Sequence, residues 1–265
     1  MSSPPLPSRY RWRFDQSTLW NGLVHAWALD ESSGDRGDAV GSCDLVEVGT
    51  VPAVAGLVGN AADATGGYLY NPALAESLTQ KFAFAVNFKA GIGGSMLMLQ
   101  FFHFPGAFFG GLLQNRVYWQ VDAWTDPHAS WGASAGDGLW HTIIVWVDRD
   151  EDNRIQSSLD GAATVYSAFP ITGTFKVNPG LGMPIWVGYG VDGTTPTGLA
   201  LQRLLWWNRS LTAGERAEIF AGHYYGSARS AAAYPYPTAG AKVCSLQVTD
   251  DCGRVATDTV VVTVT

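Results

Sequence analysis

Residues 22–70 constrain the fold of this 265-residue chain more than any other stretch. The stretch begins with residues 22–29, in which both alternating sets of side chains are mostly apolar. A strand that is apolar on both faces is typical of the interior of a two-sheet sandwich. Turn-forming residues follow over 31–38, and the short apolar pieces after them are interrupted by Gly or Pro. This pattern predicts the opening of an all-β sandwich rather than a βαβ unit.

A set of aromatic, acidic and glycine residues in this stretch also carries a family resemblance. Its members are Trp27, Leu29, Asp30, Glu31, Ser33, Gly34, Asp38, Gly41, Asp44, Gly56, Val58, Gly59, Asn60, Ala61 and Asp63. In their spacing they resemble the opening of laminin-G-like domains of the concanavalin A-like lectin/glucanase superfamily, in the variant found in phage particles and environmental bacteria. The resemblance implies a two-sheet antiparallel jelly roll and does not by itself imply a ligand.

Later segments extend the resemblance to about residue 225. Residues 137–141 resemble the family's D-G-x-W-H signature, and residues 208–220 resemble its ending. Within that ending, Thr212 and Glu215 have the spacing of a capping box, which predicts a short helix over residues 216–221. Gly222 is placed to end this helix.

We therefore predict an all-β protein: a two-sheet antiparallel jelly-roll sandwich with one short helix and a C-terminal two-stranded β-ribbon. The predicted organisation is an N-terminal arm over residues 1–21, a jelly roll over 22–226, a Ser/Ala/Pro/Tyr-rich linker over 227–241 and a β-hairpin over 242–265. The hairpin resembles the end of a PKD or other Ig-like domain.

An isolated hairpin is marginally stable in water, so the C-terminal hairpin needs a partner surface. We expect it to pack against other copies of the chain or against other particle proteins, as an assembly element. Cys244 and Cys252 flank its turn, and with Cys43 they make three cysteines, which allows at most one internal disulfide. The sequence leaves open whether Cys244 and Cys252 are paired or free.

Charge and hydropathy exclude several classes of partner. The net charge of −7 argues against nucleic acid or an anionic membrane. No run approaches the roughly 20 apolar residues of a membrane span, and the first residues lack the apolar region of a signal peptide. We expect a protein that leaves the cytosol by another route, or an excised piece. A virion component fits the first case.

The sequence predicts no enzymatic activity. Laminarinase-type members of the superfamily carry a Glu-x-Asp-x-x-Glu strand, and no such run occurs here. Metal-protease, nucleophile-elbow and P-loop motifs are also missing from the sequence.

Calcium is the one cofactor that the resemblance leaves open. Many laminin-G-like domains bind it through loop carboxylates, and Asp38, Asp63 and Asp192 are candidate ligands. The family's acidic residues before the last strand correspond here to Gln202 and Arg203, which removes two further ligands.

The candidate ligand-binding residues are Trp124, Asp126, His128 and Trp131, within a predicted loop over residues 122–136. Aromatic rings beside hydrogen-bonding groups are what a glycan site needs. The alternative is that these rings anchor the loop to its own sheet or to another subunit.

These features favour a non-enzymatic structural or recognition protein. We expect it on the surface of a virion or elsewhere outside the cell. The main reading is a phage virion component, such as a capsid decoration or fibre protein that attaches to a surface or glycan. The alternative is a carbohydrate-binding or adhesion module of a secreted or cell-surface bacterial protein.

Overall fold

The computed structural model describes most of the sandwich and both strands of the C-terminal ribbon. The described residues are 18–57, 59–74, 80–91, 96–101, 108–113, 116–121, 128–168, 170–171, 183–189, 198–222, 240–249 and 255–264. The chain divides into two compact units, Met1–Ala228 and Arg229–Thr265. The predicted arm and linker lie almost entirely outside the described residues.

The secondary structure of the described residues is nearly all β. In chain order the elements are β1 (Leu23–Trp27), β2 (Val46–Thr50), β3 (Ala53–Ala55), β4 (Asn60–Asp63), β5 (Gly66–Leu74), β6 (Lys81–Ala90), β7 (Met96–Phe101), β8 (Phe108–Leu113), β9 (Arg116–Val121), β10 (His128–Ser134), β11 (Trp140–Asp148), β12 (Asp152–Leu159), β13 (Val165–Tyr166), β14 (Met183–Val187), β15 (Leu199–Trp207), α1 (Ala213–Phe220), β16 (Gly240–Thr249) and β17 (Val255–Val264).

The strands of the first unit form two antiparallel sheets. In the described part of the chain, the first sheet has the order β13-β12-β11-β6-β15-β4-β3, with β1 also paired to β15. The second sheet has the order β10-β9-β8-β7-β14-β5-β2. Neighbouring strands are often far apart in sequence, as in a jelly roll. This confirms the predicted all-β sandwich.

The main core lies between the two sheets. Phenylalanine alternates along β6 at Phe82, Phe84 and Phe88, and nearly all residues of this strand are buried, as are all those of β15. The largest rings in this core are Trp27, Phe82, Phe84, Phe88 and Trp206. Burial of such rings supplies about 1.5–3 kcal/mol per side chain, which makes this layer the principal source of stability.

A smaller apolar cluster covers the outer side of the first sheet beneath α1. Trp146 and Trp207 from the sheet pack there with Leu211 and Ile219. The helix begins with the predicted capping box: the Thr212 hydroxyl accepts from the Glu215 N–H, and the Glu215 carboxylate accepts from the Thr212 N–H. It spans Ala213–Phe220 and starts three residues earlier than predicted.

The second unit contains β16 and β17, which pair in register from Gly240↔Val264 to Thr249↔Val255. The predicted C-terminal hairpin is therefore present as two ten-residue strands. Cys244 lies opposite Val260, whereas Cys252 falls outside the described residues. In the first unit Cys43 is buried. No helix of the described residues is long and apolar enough to cross a membrane.

Candidate functional site

An aromatic patch lies on the outer face of the second sheet, at β5 and β14. Trp186 is paired directly with Tyr70, so the two side chains share one face of the sheet. Their ring centroids are 5.2 Å apart. Tyr189 lies 6.4 Å from Trp186 and makes an edge contact with Tyr68 at 4.9 Å. We call these four half-buried rings, Tyr68, Tyr70, Trp186 and Tyr189, the ring patch.

Strict alternation within two short segments produces the ring patch. In β5 and β14 the aliphatic residues Leu69, Ile185 and Val187 are buried in the core. The aromatic residues between them therefore lie on the opposite face. Gly188, with φ +73°, ends this alternation before Tyr189; a Cβ there would lie 2.5 Å from Cβ of Ala64. Three of the rings, Tyr68, Tyr70 and Trp186, thus stand on paired strands, and Tyr189 follows just after the end of β14.

The register carries this surface across the whole second sheet. Trp186 pairs with Tyr70 on one side and with Gln100 on the other, and Tyr70 pairs with Val46. The same row continues strand by strand from Gln100 to the far edge. Its seven positions, which we call the central row, are Val46, Tyr70, Trp186, Gln100, Phe109, Gln120 and His128. Six strand spacings give the row a length of about 29 Å.

Of the four predicted ligand-binding residues, one falls on the central row. His128 is its last position, opposite Gln120 at the β10 edge. Trp131 lies three residues further along β10, and Trp124 and Asp126 lie outside the described residues. The prediction of a continuous loop over residues 122–136 is wrong, because His128–Ser134 is a strand paired with β9. The mixed polar and aromatic composition of the segment predicted a loop, but its small residues fit an edge strand that contains a register shift.

The calcium candidates have other partners in this structure. The Asp38 carboxylate lies 2.5 Å from Nδ1 of His25 and accepts from backbone N–H groups, while Asp63 accepts from the N–H and hydroxyl of Thr65. Asp192 lies outside the described residues. Among the described residues, no group of three or more His, Cys, Asp or Glu could hold a metal ion. Calcium binding stays a prediction.

Gln202 and Arg203 shape the backbone at neighbouring positions of β15. Gln202 is buried, accepts from the Leu57 N–H at 3.0 Å and donates to the Asn60 carbonyl at 2.6 Å. Arg203 has φ +55° at a bulge between β15 and β6, and its N–H donates to the Ala28 carbonyl. Gln202 therefore joins a loop to the first sheet.

The D-G-x-W-H segment forms a charged cluster on the rim of the first sheet. His141 places Nδ1 2.6 Å from Oδ2 of Asp160 and Nε2 3.0 Å from Oδ1 of Asp137. Partial burial would lower the pKa of His141, but the two carboxylates outweigh it and raise the pKa. The hydrogen bond from His141 lowers the pKa of Asp137. The two imidazole nitrogens face different carboxylates, so His141 links the turn that contains Asp137 to the turn that contains Asp160.

A charged groove of about 550 Å³ lies where α1 begins, beside the turn after β11. Lys81 Nζ lies 2.9 Å from Oδ1 of Asp148 and 3.0 Å from Oδ2 of Asp150. The Ser210 hydroxyl donates to Asp148, and the Arg216 guanidinium lies over the Trp146 ring at 4.1 Å. The hydrogen bonds that Lys81 donates to Asp148 and Asp150 raise the pKa of Lys81. These groups satisfy one another, which indicates a structural role.

The ring patch was missed at the level of sequence. Tyr68 and Tyr70 lie more than a hundred residues from Trp186 and Tyr189 in the sequence, and neither pair was among the candidate ligand-binding residues. The signal available was the alternation of aromatic and aliphatic residues in both segments. The pairing of β5 with β14, more than a hundred residues later, is what brings them together.

No protein-family model matches the chain, and no curated protein matches it. Solved structures do. The Trypanosoma rangeli sialidase is 16% identical with a TM-score of 0.53; the match covers 76% of this chain and 33% of the sialidase. Domain 4 of the arabinanase AbnA from Geobacillus stearothermophilus, in complex with arabinotriose, is 15% identical with a TM-score of 0.57, covering 74% of this chain and 97% of that domain.

The binding domain of botulinum neurotoxin DC, in complex with SialylT, is also similar, at 8% identity and a TM-score of 0.57. That match covers 78% of this chain and 53% of the toxin domain. The chain thus spans about a third of the sialidase and half of the toxin domain. At these identities the likeness shows a shared β-sandwich fold and no more.

Proposed function

We propose that this chain is a non-catalytic glycan-recognition module that binds through the outer face of its second sheet. One observation carries the proposal: the ring patch, in which three half-buried aromatic rings on paired strands and a fourth just beyond β14 lie side by side. Large rings that a globular protein leaves on one sheet face commonly mark a binding surface.

The chemistry of the ring patch suits sugars. A pyranose or furanose ring presents an apolar C–H face, which stacks on an aromatic ring, and hydroxyl groups at its edge. Tyr68, Tyr70 and Tyr189 add phenolic hydroxyls that both donate and accept hydrogen bonds. Because β5 and β14 hold the rings in place, little side-chain entropy is lost on binding.

The comparisons support a glycan as the ligand class. Two of the similar structures were solved with carbohydrate, namely arabinotriose in the arabinanase domain and SialylT in the toxin domain. Sandwiches of this kind therefore serve as sugar-binding modules in other proteins. This adds to the argument from the rings and does not replace it.

We propose a non-catalytic role because the ring patch has no acid beside it. On this face, the described side chains of β2, β5 and β14 include no carboxylate: Val46, Val48, Tyr68, Tyr70 and Trp186 occupy the positions paired there. Most glycoside hydrolases use two carboxylates that flank the bond, and even those with a tyrosine nucleophile depart from this rule only in part of the site. Release of reducing sugar from a bound glycan, lost on substitution of one Asp or Glu, would contradict this part.

The setting that we propose is an external surface, such as a phage capsid decoration or fibre, with the ribbon of β16 and β17 as the assembly element. The ribbon supports this, since two strands alone are marginally stable and leave both edges open to pairing. Deletion of residues 240–265 should leave a folded sandwich that no longer associates in light scattering. A full-length monomer at high concentration would contradict it.

The binding surface is tested with a matched pair of tyrosine variants. Tyr70→Ala removes a ring of the patch, and Tyr166→Ala removes a ring that is 46% exposed on the first sheet. Retardation in gels containing soluble polysaccharides should be lost in Tyr70→Ala, by roughly tenfold in affinity, and kept in Tyr166→Ala. Equal effects of the two variants would rule out the ring patch as the site.

A further inference from the structure

We infer that the ligand of the central row is an uncharged, extended oligosaccharide that crosses the strands of the second sheet, rather than an acidic sugar held at one end. The inference rests on the proposed function and names the class of glycan. It is carried by the charge of the face, the length of the central row and the kinds of residue along it.

The strands of the second sheet are almost free of charge. Their sequences contain one lysine or arginine, Arg116, and one carboxylate, Glu47. The Glu47 side chain alternates with Val46 and Val48, so it points away from the central row. Its carboxylate accepts hydrogen bonds from the N–H groups of Gly34 and Val51 at 2.7 and 3.0 Å. Arg116 lies four residues along β9 from Gln120, which is about 13 Å from the central row.

This arrangement disfavours an anionic ligand. Proteins hold carboxylate or sulfate groups with paired Arg or Lys side chains, and the central row has neither. The adjacent row, which includes Val48 paired with Tyr68 and Tyr118 paired with Gly111 and Ser130, is also uncharged. The net charge of −7 repels anions further.

The composition of the central row matches a neutral chain. Aromatic positions (Tyr70, Trp186, Phe109) are interspersed with amide positions (Gln100, Gln120) and with His128. Amide groups donate and accept hydrogen bonds, so they suit hydroxyls, which do the same. A row of about 29 Å takes several linked sugar rings. A monosaccharide would cover only the ring patch.

The experiment measures affinity, by calorimetry and gel retardation, for length series of neutral oligosaccharides (β-glucan- and arabinan-derived) and for acidic ones (oligogalacturonate and sialyllactose). We expect neutral ligands to bind, with affinity rising at least about tenfold from disaccharide to hexasaccharide as further subsites fill. We expect little change when salt is raised, because no ion pair forms.

Three variants locate the contributions along the central row. Trp186→Ala should weaken every neutral ligand, because it removes the largest ring of the patch. His128→Ala, at the far end, should weaken hexasaccharide binding more than disaccharide binding and so reduce the gain from chain length. Arg116→Ala should leave neutral binding unchanged, and thermal melting should show that all three variants fold.

The alternative outcomes separate the inference from the proposed function. Tighter binding of acidic ligands, lost in high salt or in Arg116→Ala, would overturn the inference and keep glycan recognition. Binding that does not grow with chain length would do the same. If no glycan binds in a Trp186-dependent manner, or if Trp186→Ala instead abolishes self-association in light scattering, the proposed function and the inference both fail.

Discussion

Two histidines among the described residues of this sandwich face carboxylates, and the two sites differ in burial and in the partners of the carboxylates. His25, in β1, is 1% exposed and its partner Asp38 is fully buried. His141, at the start of β11, is 11% exposed, whereas its partners Asp137 and Asp160 are 39% and 47% exposed. The same pair of chemical groups therefore occurs once inside the protein and once on its rim.

The buried pair organises a loop, because Asp38 does more than face a histidine. It also accepts from the N–H groups of Ala26, Val40, Gly41 and Cys43. Burial alone would raise its pKa, but the hydrogen bonds from His25 and these backbone groups lower the pKa to about 2. The contribution of a carboxylate to stability therefore depends more on the hydrogen bonds that it accepts than on the presence of a charged partner.

The largest expected effect is that of Asp38→Ala. It removes the carboxylate that faces the buried His25 and accepts from the buried N–H of Ala26, so the free energy of unfolding should fall by about 3–5 kcal/mol. Urea denaturation measures this. Asp137→Ala, at the exposed cluster, serves as the comparison and should lie close to wild type. Equal losses would mean that burial does not distinguish the two sites.

Gly41→Ala tests how closely the loop is packed around the buried pair. A Cβ at position 41 would lie 2.5 Å from Oδ2 of Asp38 and 2.6 Å from Nδ1 of His25. The loss should approach about 3 kcal/mol, the upper range for overpacking. Gly37→Ala is the control, since its Cβ would meet only the Glu31 carboxylate at 3.8 Å. A stable Gly41→Ala variant would show that the loop can shift.

The stability that Asp38 contributes and the stability that His141 contributes change with pH in opposite directions, so acid titration separates the two sites. Asp38 has a folded pKa of about 2 against an ordinary 3.8, so its contribution is present above 3.8 and lost as pH falls toward 2. The expected loss is about 2 kcal/mol. Glu215, also with a pKa of about 2, behaves alike, so the measurement is made in Glu215→Gln. A flat acid limb in that variant would contradict the assignment to Asp38.

The smallest effect is expected for His141→Gln. The pKa of His141 is raised above 6.5, so its contribution is complete below that value and disappears as pH rises through the raised pKa. Wild type should lose no more than about 1 kcal/mol on the alkaline side, as partly solvated ion pairs do. Urea midpoints of wild type and His141→Gln should converge there. A gap that widens with pH would be the contrary result.

The fold could be predicted because its signals are local. The doubly apolar segment at β1, the phenylalanine alternation of β6 and the capping box at Thr212 each act within a few residues, and the structure contains all three. The role of Asp38 could not be predicted in this way. A loop aspartate in sequence is a candidate metal ligand, and only folding brings His25 and four N–H groups to it.

The proposed binding surface was harder to predict from the sequence than the fold, for a similar reason. His128 was chosen for its aromatic neighbours within one predicted loop, and its position on the central row came from the pairing of β10 with β9. The ring patch depends on the pairing of β5 with β14, which residue spacing does not reveal. Sheet registers between distant strands are non-local, so a sequence without its partners does not specify them.

The pairing of β1 with β15 has a mechanical consequence. These strands run antiparallel with Leu23 opposite Trp207, and Arg209 and Trp207 bond the carbonyls of Thr18 and Leu19. The first and last strands of the described sandwich therefore lie side by side at one corner. This arrangement suits insertion of the domain into a longer chain. Tension applied at this corner would break the hydrogen bonds between β1 and β15 one after another. The force would not pass through the second sheet, which holds the ring patch.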